Sequence, residues 1–219
     1  MTSVKVCGLC RPEDAAAAVA AGASYVGVIL SAHGPRALDE ARARAVLAER
    51  GAARAVGVFV DEPLDRIVAC AERLRLGALQ LHGRETIADV GMLRSRTDAS
   101  IWKSVRVRDA RGAREAVAAW TSHVDGLLLD GWSPHAAGGT GTAFEWEALH
   151  DVRALVPEHV TLVVAGGLSA ENVARAIEVL APDVVDVSSG VETGPGEKSE
   201  EKIRAFVAAA RMQRKEAAT

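Results

Sequence analysis

The chain has 219 residues, 49% of them hydrophobic and 25% charged, which suits a soluble globular protein with a full core. A formal net charge of −3 gives no reason to expect nucleic acid or an anionic membrane as partner. No apolar run approaches the roughly 18 residues of a membrane span, and three cysteines are too few for a disulfide framework in a chain of this length. The opening Met-Thr-Ser-Val-Lys carries no signal-type apolar stretch, so a cytoplasmic location is expected.

Short apolar runs alternate with alanine-rich stretches of helical period along the whole chain. The first strand is expected at Val4–Cys7, followed by a helix over Pro12–Ala21. Proline and two acids, Pro12-Glu13-Asp14, suit the first turn of that helix. Strand Tyr25–Leu30 precedes helix Leu38–Arg50, and strand Ala55–Val60 precedes helix Pro63–Arg73. Strand Ala78–Leu81 leads to helix Thr86–Arg96, and strand Ile101–Val105 to helix Arg111–Trp120. Strand Gly126–Leu129 leads to helix Phe144–Val156. Strand Thr161–Ala165 is followed by helix Ala170–Leu180, with Ser169-Ala-Glu-Asn172 as its start. Strand Val184–Ser188 and helix Glu200–Arg214 close the series. About eight βα units, spaced by about 25–30 residues, predict a (β/α)8 TIM barrel of eight parallel strands ringed by helices. A doubly wound open sheet is the alternative. Residues 1–212 are expected to form one barrel domain, with 213–219 a frayed tail.

In such barrels chemistry sits at the C-terminal ends of the strands, and two reactive side chains fall there. Asp130 ends the sixth strand and opens the glycine-rich stretch Asp130-Gly-Trp-Ser-Pro-His-Ala-Ala-Gly138-Gly139-Thr140-Gly141. Cys7 ends the first strand. Its spacing to Cys10 matches a redox C-x-x-C, but that reading expects a shorter chain and leaves the glycine loops unexplained. A free thiol, with pKa about 8.5, is only a few per cent thiolate near pH 7, so Cys7 as a base needs a positive field. Strand alternation is expected to turn Lys5 away, leaving the N-terminus of the next helix to help.

After the second strand, Pro35 stiffens the loop before Arg36, whose guanidinium could grip a carboxylate at two points. Gln80 and His82 share one face of the fourth strand, which places both beside the site if that face is the barrel interior. The last two strands end in glycine segments, Ala165-Gly166-Gly167-Leu168 and Asp186-Val-Ser188-Ser189-Gly190-Val191. Backbone amides at those two ends commonly seat a phosphate, so a phosphorylated small molecule is the expected partner.

With these residues in place the chain resembles the phosphoribosylanthranilate isomerase family of tryptophan biosynthesis. The resemblance runs nearly the full length. It rests on Lys5-Val-Cys7-Gly-Leu with Arg11-Pro-Glu-Asp14, Pro35-Arg36, Val56-Gly-Val-Phe-Val60 and Leu79-Gln-Leu-His82-Gly83. It continues through Leu129-Asp130, Gly138-Gly-Thr-Gly-Thr-Ala-Phe-Glu-Trp146, Ala165-Gly-Gly-Leu-Ser-Ala-Glu-Asn-Val173 and Val185-Asp-Val-Ser-Ser-Gly-Val-Glu192. It implies a (β/α)8 barrel needing no metal and no organic cofactor, acting as a monomer or homodimer. The implied reaction is an Amadori rearrangement of N-(5-phosphoribosyl)anthranilate, with Asp130 as general acid and Cys7 as general base. Arg36 would hold the anthranilate carboxylate, Gly166, Gly167, Ser189 and Gly190 would seat the phosphate, and the Gly138–Gly141 loop would close over the site.

The sequence departs from the family pattern at Cys10, usually threonine, at Gly34, usually serine, and at Leu30, usually aromatic. Gly-Glu-Lys198-Ser199 also replaces a Lys-Asp pair, a change expected to matter only for capping the last helix through Ser199. Two other functions compete. A histidine-pathway aminoaldose isomerase would pair two aspartates at strand ends one and six, where this chain has Cys7. A retired barrel that only senses a phosphosugar would not need Cys7 and Asp130.

Overall fold

In a closed parallel sheet both faces of every strand are covered, so strands should read as near-continuous apolar runs. The runs identified in the sequence behave accordingly. The structure is a computed structural model that describes residues 1–31, 34–131 and 146–212. Strands β1 (Ser3–Val6), β2 (Tyr25–Ile29), β3 (Arg54–Phe59) and β4 (Ala78–Leu81) pair in parallel in chain order. They continue into β5 (Ser100–Val107), β6 (Gly126–Gly131), β7 (Thr161–Ala165) and β8 (Val184–Val187). Strand β8 then pairs with β1, with Lys5 opposite Asp186, and closes the barrel.

Helices α1 (Pro12–Ala21), α2 (Glu40–Ala48), α3 (Leu64–Leu74), α4 (Ile87–Arg94) and α5 (Ala110–Trp120) follow the first five strands. Side chains satisfy backbone amides at three of their starts. Asp39 accepts from Arg42 N, Asp109 accepts from Gly112 N, and Thr86 with Asp89 forms a reciprocal capping box. After β6 and β7 the helices α6 (Val152–Leu155) and α7 (Val173–Leu180) are shorter than expected, and α8 (Glu200–Met212) closes the ring.

Two helix starts are corrected. The helix expected over Phe144–Val156 is a 3-10 turn at Trp146–Leu149 and then α6, its first residues lying outside those described. His150 Nδ1 lies 3.0 Å from Glu147 O, occupying a carbonyl that a continuous helix would use. Ser169 does not cap α7. Its amide donates to Asn172 Oδ1 at 2.8 Å, forming a separate turn, and the helix begins at Val173. Ser199 does accept from Lys202 N, at 3.3 Å in the first turn of α8. A 3-10 turn at Ser189–Val191 and an antiparallel hairpin, β9 (Glu192–Gly194) with β10 (Glu197–Lys198), were not anticipated.

The interior of the barrel is plugged by Val56, Ala78, Trp102, Leu128, Val163 and Val184, with Tyr25 packed on them. The Tyr25 and Trp102 rings lie 5.3 Å apart, and a side chain on Gly126 would put its Cβ 2.5 Å from Trp102 Cδ1. A larger apolar shell fills the space between strands and helices. The plug leaves the cavity open at the C-terminal strand ends. Trp102→Ala is expected to lower stability by about 3–5 kcal/mol, read as a reduced urea midpoint. An unchanged midpoint would mean that the plug does not carry the barrel.

Candidate active site

The strand ends surround a cavity of about 540 Å3. Its wall takes Cys7 from the end of β1, Ile29 from β2, Val58 and Val60 from β3, and Gln80 and His82 from β4. Strand β6 adds Asp130 and Gly131, β7 adds Ala165 through Leu168, and β8 adds Asp186 with Ser188 through Gly190. Ten of the residues named from the sequence therefore meet at one cavity: Cys7, Gln80, His82, Asp130, Gly166, Gly167, Asp186, Ser188, Ser189 and Gly190. Arg36 is not among its lining residues and packs over Gly8, next to Ser188. Gly138, Gly139, Thr140 and Gly141 lie outside the described residues.

At the seam between β1 and β8, Lys5 Nζ donates to Asp186 Oδ2 at 2.7 Å, with the lysine wholly buried. Residues two apart on a strand share a face, so Lys5 lies on the same side as Cys7 rather than turning away from it. Gly27 on β2 makes room for both, since a Cβ there would sit 2.9 Å from Cys7 Sγ and 3.3 Å from Lys5 Cε. Burial works against the lysine's charge, but Asp186 and Cys7 outweigh it and hold Lys5 above its ordinary pKa. The Cys7 thiol moves the other way from what a resting base needs. Burial pushes it up, and the opposing pull of Lys5 does not cancel that effect. Asp186 Oδ1 is buried and has no hydrogen-bond partner among the described residues, on a residue that lines the cavity.

Across the cavity, Gln80 Nε2 lies 3.1 Å from His82 Nδ1, and His82 Nε2 lies 3.6 Å from Asp130 Oδ2. The Gln80 contact at Nδ1 turns Nε2 toward Asp130. A gap of 3.6 Å is too long for a direct hydrogen bond. Asp130 is a quarter exposed to the cavity, at 24%, so it can meet a ligand directly. Gly166, at φ +95°, packs against it, and a Cβ there would lie 2.8 Å from Asp130 Oδ1.

The two glycine segments form one corner of the wall. Asn172 ties down the first by donating Nδ2 to Gly167 O at 2.9 Å. Gly190 packs so closely under the Leu168 carbonyl that a side chain would collide with it. Gly167 has open space where a side chain would be. Backbone can thus approach a ligand here without interference.

Arg36 crosses above Gly8, where φ is +69° and a Cβ would lie 2.7 Å from Arg36 Cδ and 3.0 Å from Ser188 Oγ. Its two-point fork is already engaged. Arg36 Nε and Nη2 donate to Glu192 Oε1 and Oε2 at 2.7 and 2.6 Å. Burial alone would raise the Glu192 pKa, but hydrogen bonds and charge from Arg36 and Lys198 overcome it and bring the group down to about 2. Lys198, taken from the sequence as a change relevant only to helix capping, is buried against Glu192 and Ser188. Lys5, Glu192 and Lys198 were therefore missed. Lys5 was legible from its even spacing to Cys7, whereas the other two sit on a hairpin with no apolar alternation to mark it.

A closed ring of eight parallel strands with a cavity at its C-terminal mouth places the chain among the (β/α)8 barrel proteins. Residues 4–209 match the family model for N-(5'phosphoribosyl)anthranilate (PRA) isomerase. A protein of that description from Geobacter sp. (strain M21) is 43% identical over 213 residues, covering 96% of this chain and 98% of its own. The crystal structure of phosphoribosyl anthranilate isomerase from Thermotoga maritima superposes with a TM-score of 0.86 at 36% identity, covering 96% of this chain and 98% of that one. A second, in complex with reduced 1-(o-carboxyphenylamino)-1-deoxyribulose 5-phosphate, gives 0.83 at 33% identity over the same shares. The chain belongs to the N-(5'-phosphoribosyl)anthranilate isomerase family and is an isomerase.

The position of Lys5 makes its effect on Cys7 measurable. Lys5→Gln keeps a donor for Asp186 but removes the charge, and the Cys7 pKa is expected to rise further. Ultraviolet titration of the thiolate, referenced to Cys7→Ser, reads it. An unchanged titration would show that the lysine's field does not reach the sulfur.

Proposed function

We propose that this isomerase converts N-(5-phosphoribosyl)anthranilate to 1-(2-carboxyphenylamino)-1-deoxyribulose 5-phosphate in tryptophan biosynthesis, with Asp130 as general acid and Cys7 as general base. The observation that carries the assignment is that these two side chains, from β1 and β6, line one cavity with the glycine ends of β7 and β8. The glycine corner takes the phosphate through backbone amides of Gly166, Gly167, Ser189 and Gly190. The relative crystallised with a reduced carboxyphenylamino ribulose phosphate holds a ligand of this kind.

Asp130 gives its proton to the ribose ring oxygen as the C1–O bond breaks, and the anilino nitrogen pushes its lone pair in to form an iminium. Cys7 then takes the C2 proton, and that electron pair moves to neutralise the nitrogen, leaving an enolamine. Tautomerisation of the enolamine gives the ketone. The form of Cys7 that accepts this proton is the thiolate; burial disfavours it, and the charge of Lys5 and then of the iminium opposes that effect. His82, held by Gln80 with Nε2 on the Asp130 side, stands where it can support the carboxylate that remains once the proton has left, and Asp186 Oδ1 offers the ribose hydroxyls an acceptor.

Turnover is read as loss of anthranilate-type fluorescence when the protein meets substrate generated in situ. Asp130→Asn and Cys7→Ala are each expected to lower kcat at least about a hundredfold. A near-wild-type rate in either variant removes that residue from its role.

A further inference from the structure

The hairpin that follows β8 links Arg36 to Ser188, on the cavity wall, through a chain of charges. Glu192 opens β9 and its carboxylate has four donors. Arg36 Nε reaches Oε1 at 2.7 Å, Arg36 Nη2 reaches Oε2 at 2.6 Å, Lys198 Nζ reaches Oε1 at 2.7 Å, and Gly196 N reaches Oε1 at 3.3 Å. Lys198 is fully buried and also donates to Ser188 O at 3.1 Å and Ser188 Oγ at 3.3 Å. Ser188 lines the cavity beside Ser189 and Gly190.

The hairpin itself is pinned from outside. Asp14, in the first turn of α1, accepts from Lys198 N at 3.3 Å, and Arg11 Nη2 donates to Lys198 O at 3.1 Å. Lys202, in the first turn of α8, donates to Glu192 O at 2.6 Å. Neither residue can shift without breaking several bonds at once.

A guanidinium has five N–H donors on two usable edges. Glu192 takes the side-on edge of Arg36, formed by Nε and Nη2. The edge formed by Nη1 and the second hydrogen of Nη2 is the one a further carboxylate can grip.

We propose that Glu192 and Lys198 are positioning residues that determine specificity for the carboxylate-bearing ring. They lock Arg36 so that it presents only its end-on edge, at a distance from the phosphate corner set by Lys198 and Ser188. This rests on the substrate assigned above. The arrangement rewards a ligand whose carboxylate and phosphate are separated by that fixed span. A mobile arginine would accept a wider range of geometries and discriminate less.

Two competitive inhibitors test it: reduced 1-(o-carboxyphenylamino)-1-deoxyribulose 5-phosphate and the same molecule without its carboxylate. Inhibition constants for both are measured on wild type, Glu192→Gln, Glu192→Asp and Lys198→Met. Glu192→Gln is expected to lose about tenfold of the wild-type preference for the carboxylated inhibitor, the scale of one charge-assisted contact. Affinity for the inhibitor without the carboxylate should stay nearly unchanged. Glu192→Asp should recover part of the preference, and Lys198→Met, which keeps the Arg36–Glu192 pair, should lose a smaller part of it.

An unchanged preference in folded Glu192→Gln and Lys198→Met overturns the proposal. So does a rise in preference, because Glu192 would then be competing with the ligand for Arg36. If Glu192→Gln does not fold, Lys198→Met and Glu192→Asp decide the matter alone. A wild-type protein that binds neither inhibitor and turns over no substrate would instead sink the function proposed above.

Discussion

One buried ion pair governs the layout of this molecule. Lys5 and Asp186 face each other in register where the last barrel strand meets the first, with the lysine wholly excluded from solvent. Taking two charges out of water costs more than a single contact returns, so the pair is poor evidence of stability for its own sake. Its consequence is placement. Closing β8 onto β1 brings the Cys7 strand end beside the Ser188 segment, and the charge of Lys5 lies on the face shared with the thiol. A side chain at Gly27 on the neighbouring strand would collide with Cys7 Sγ at 2.9 Å and crowd Lys5 Cε at 3.3 Å.

The same seam organises the rest of the cavity mouth. Arg36 passes over Gly8, just beyond β1, and meets a hairpin that leaves directly from β8. The glycine corner is built from β7 and β8, and Gly190 fits under Leu168 only because it has no side chain. Asp130 and its neighbours Gln80 and His82 stand apart on β4 and β6, where their positions come from strand alternation. On the proposed chemistry the acid is thus mounted on rigid strands, while the base depends on a charge balance at the seam.

Strand and helix order were legible because a (β/α)8 barrel repeats one pattern, and strands buried on both faces cannot be mistaken for polar loops. Asp130, Cys7 and the two glycine segments were legible for a related reason, since strand ends in such a barrel all open on one mouth. What escaped was set by tertiary contact. The break at His150 depends on a ring nitrogen reaching a nearby carbonyl, and the late start of α7 on an asparagine folding back to Ser169. Glu192 and Lys198 carry no apolar alternation to mark their burial, which the hairpin alone brings about. The raised Cys7 pKa could not be anticipated from sequence spacing, because it is the difference between burial and a partly neutralised lysine.

The most direct measurement is the primary kinetic isotope effect with substrate deuterated at C2, compared between wild type and Lys5→Gln. If the buried pair makes Cys7 a competent base, removing the lysine's charge should slow proton abstraction and bring out a larger isotope effect as kcat falls. A fall in kcat with an unchanged isotope effect would contradict this, and would place the role of Lys5 in folding or binding rather than in the chemistry of the thiol.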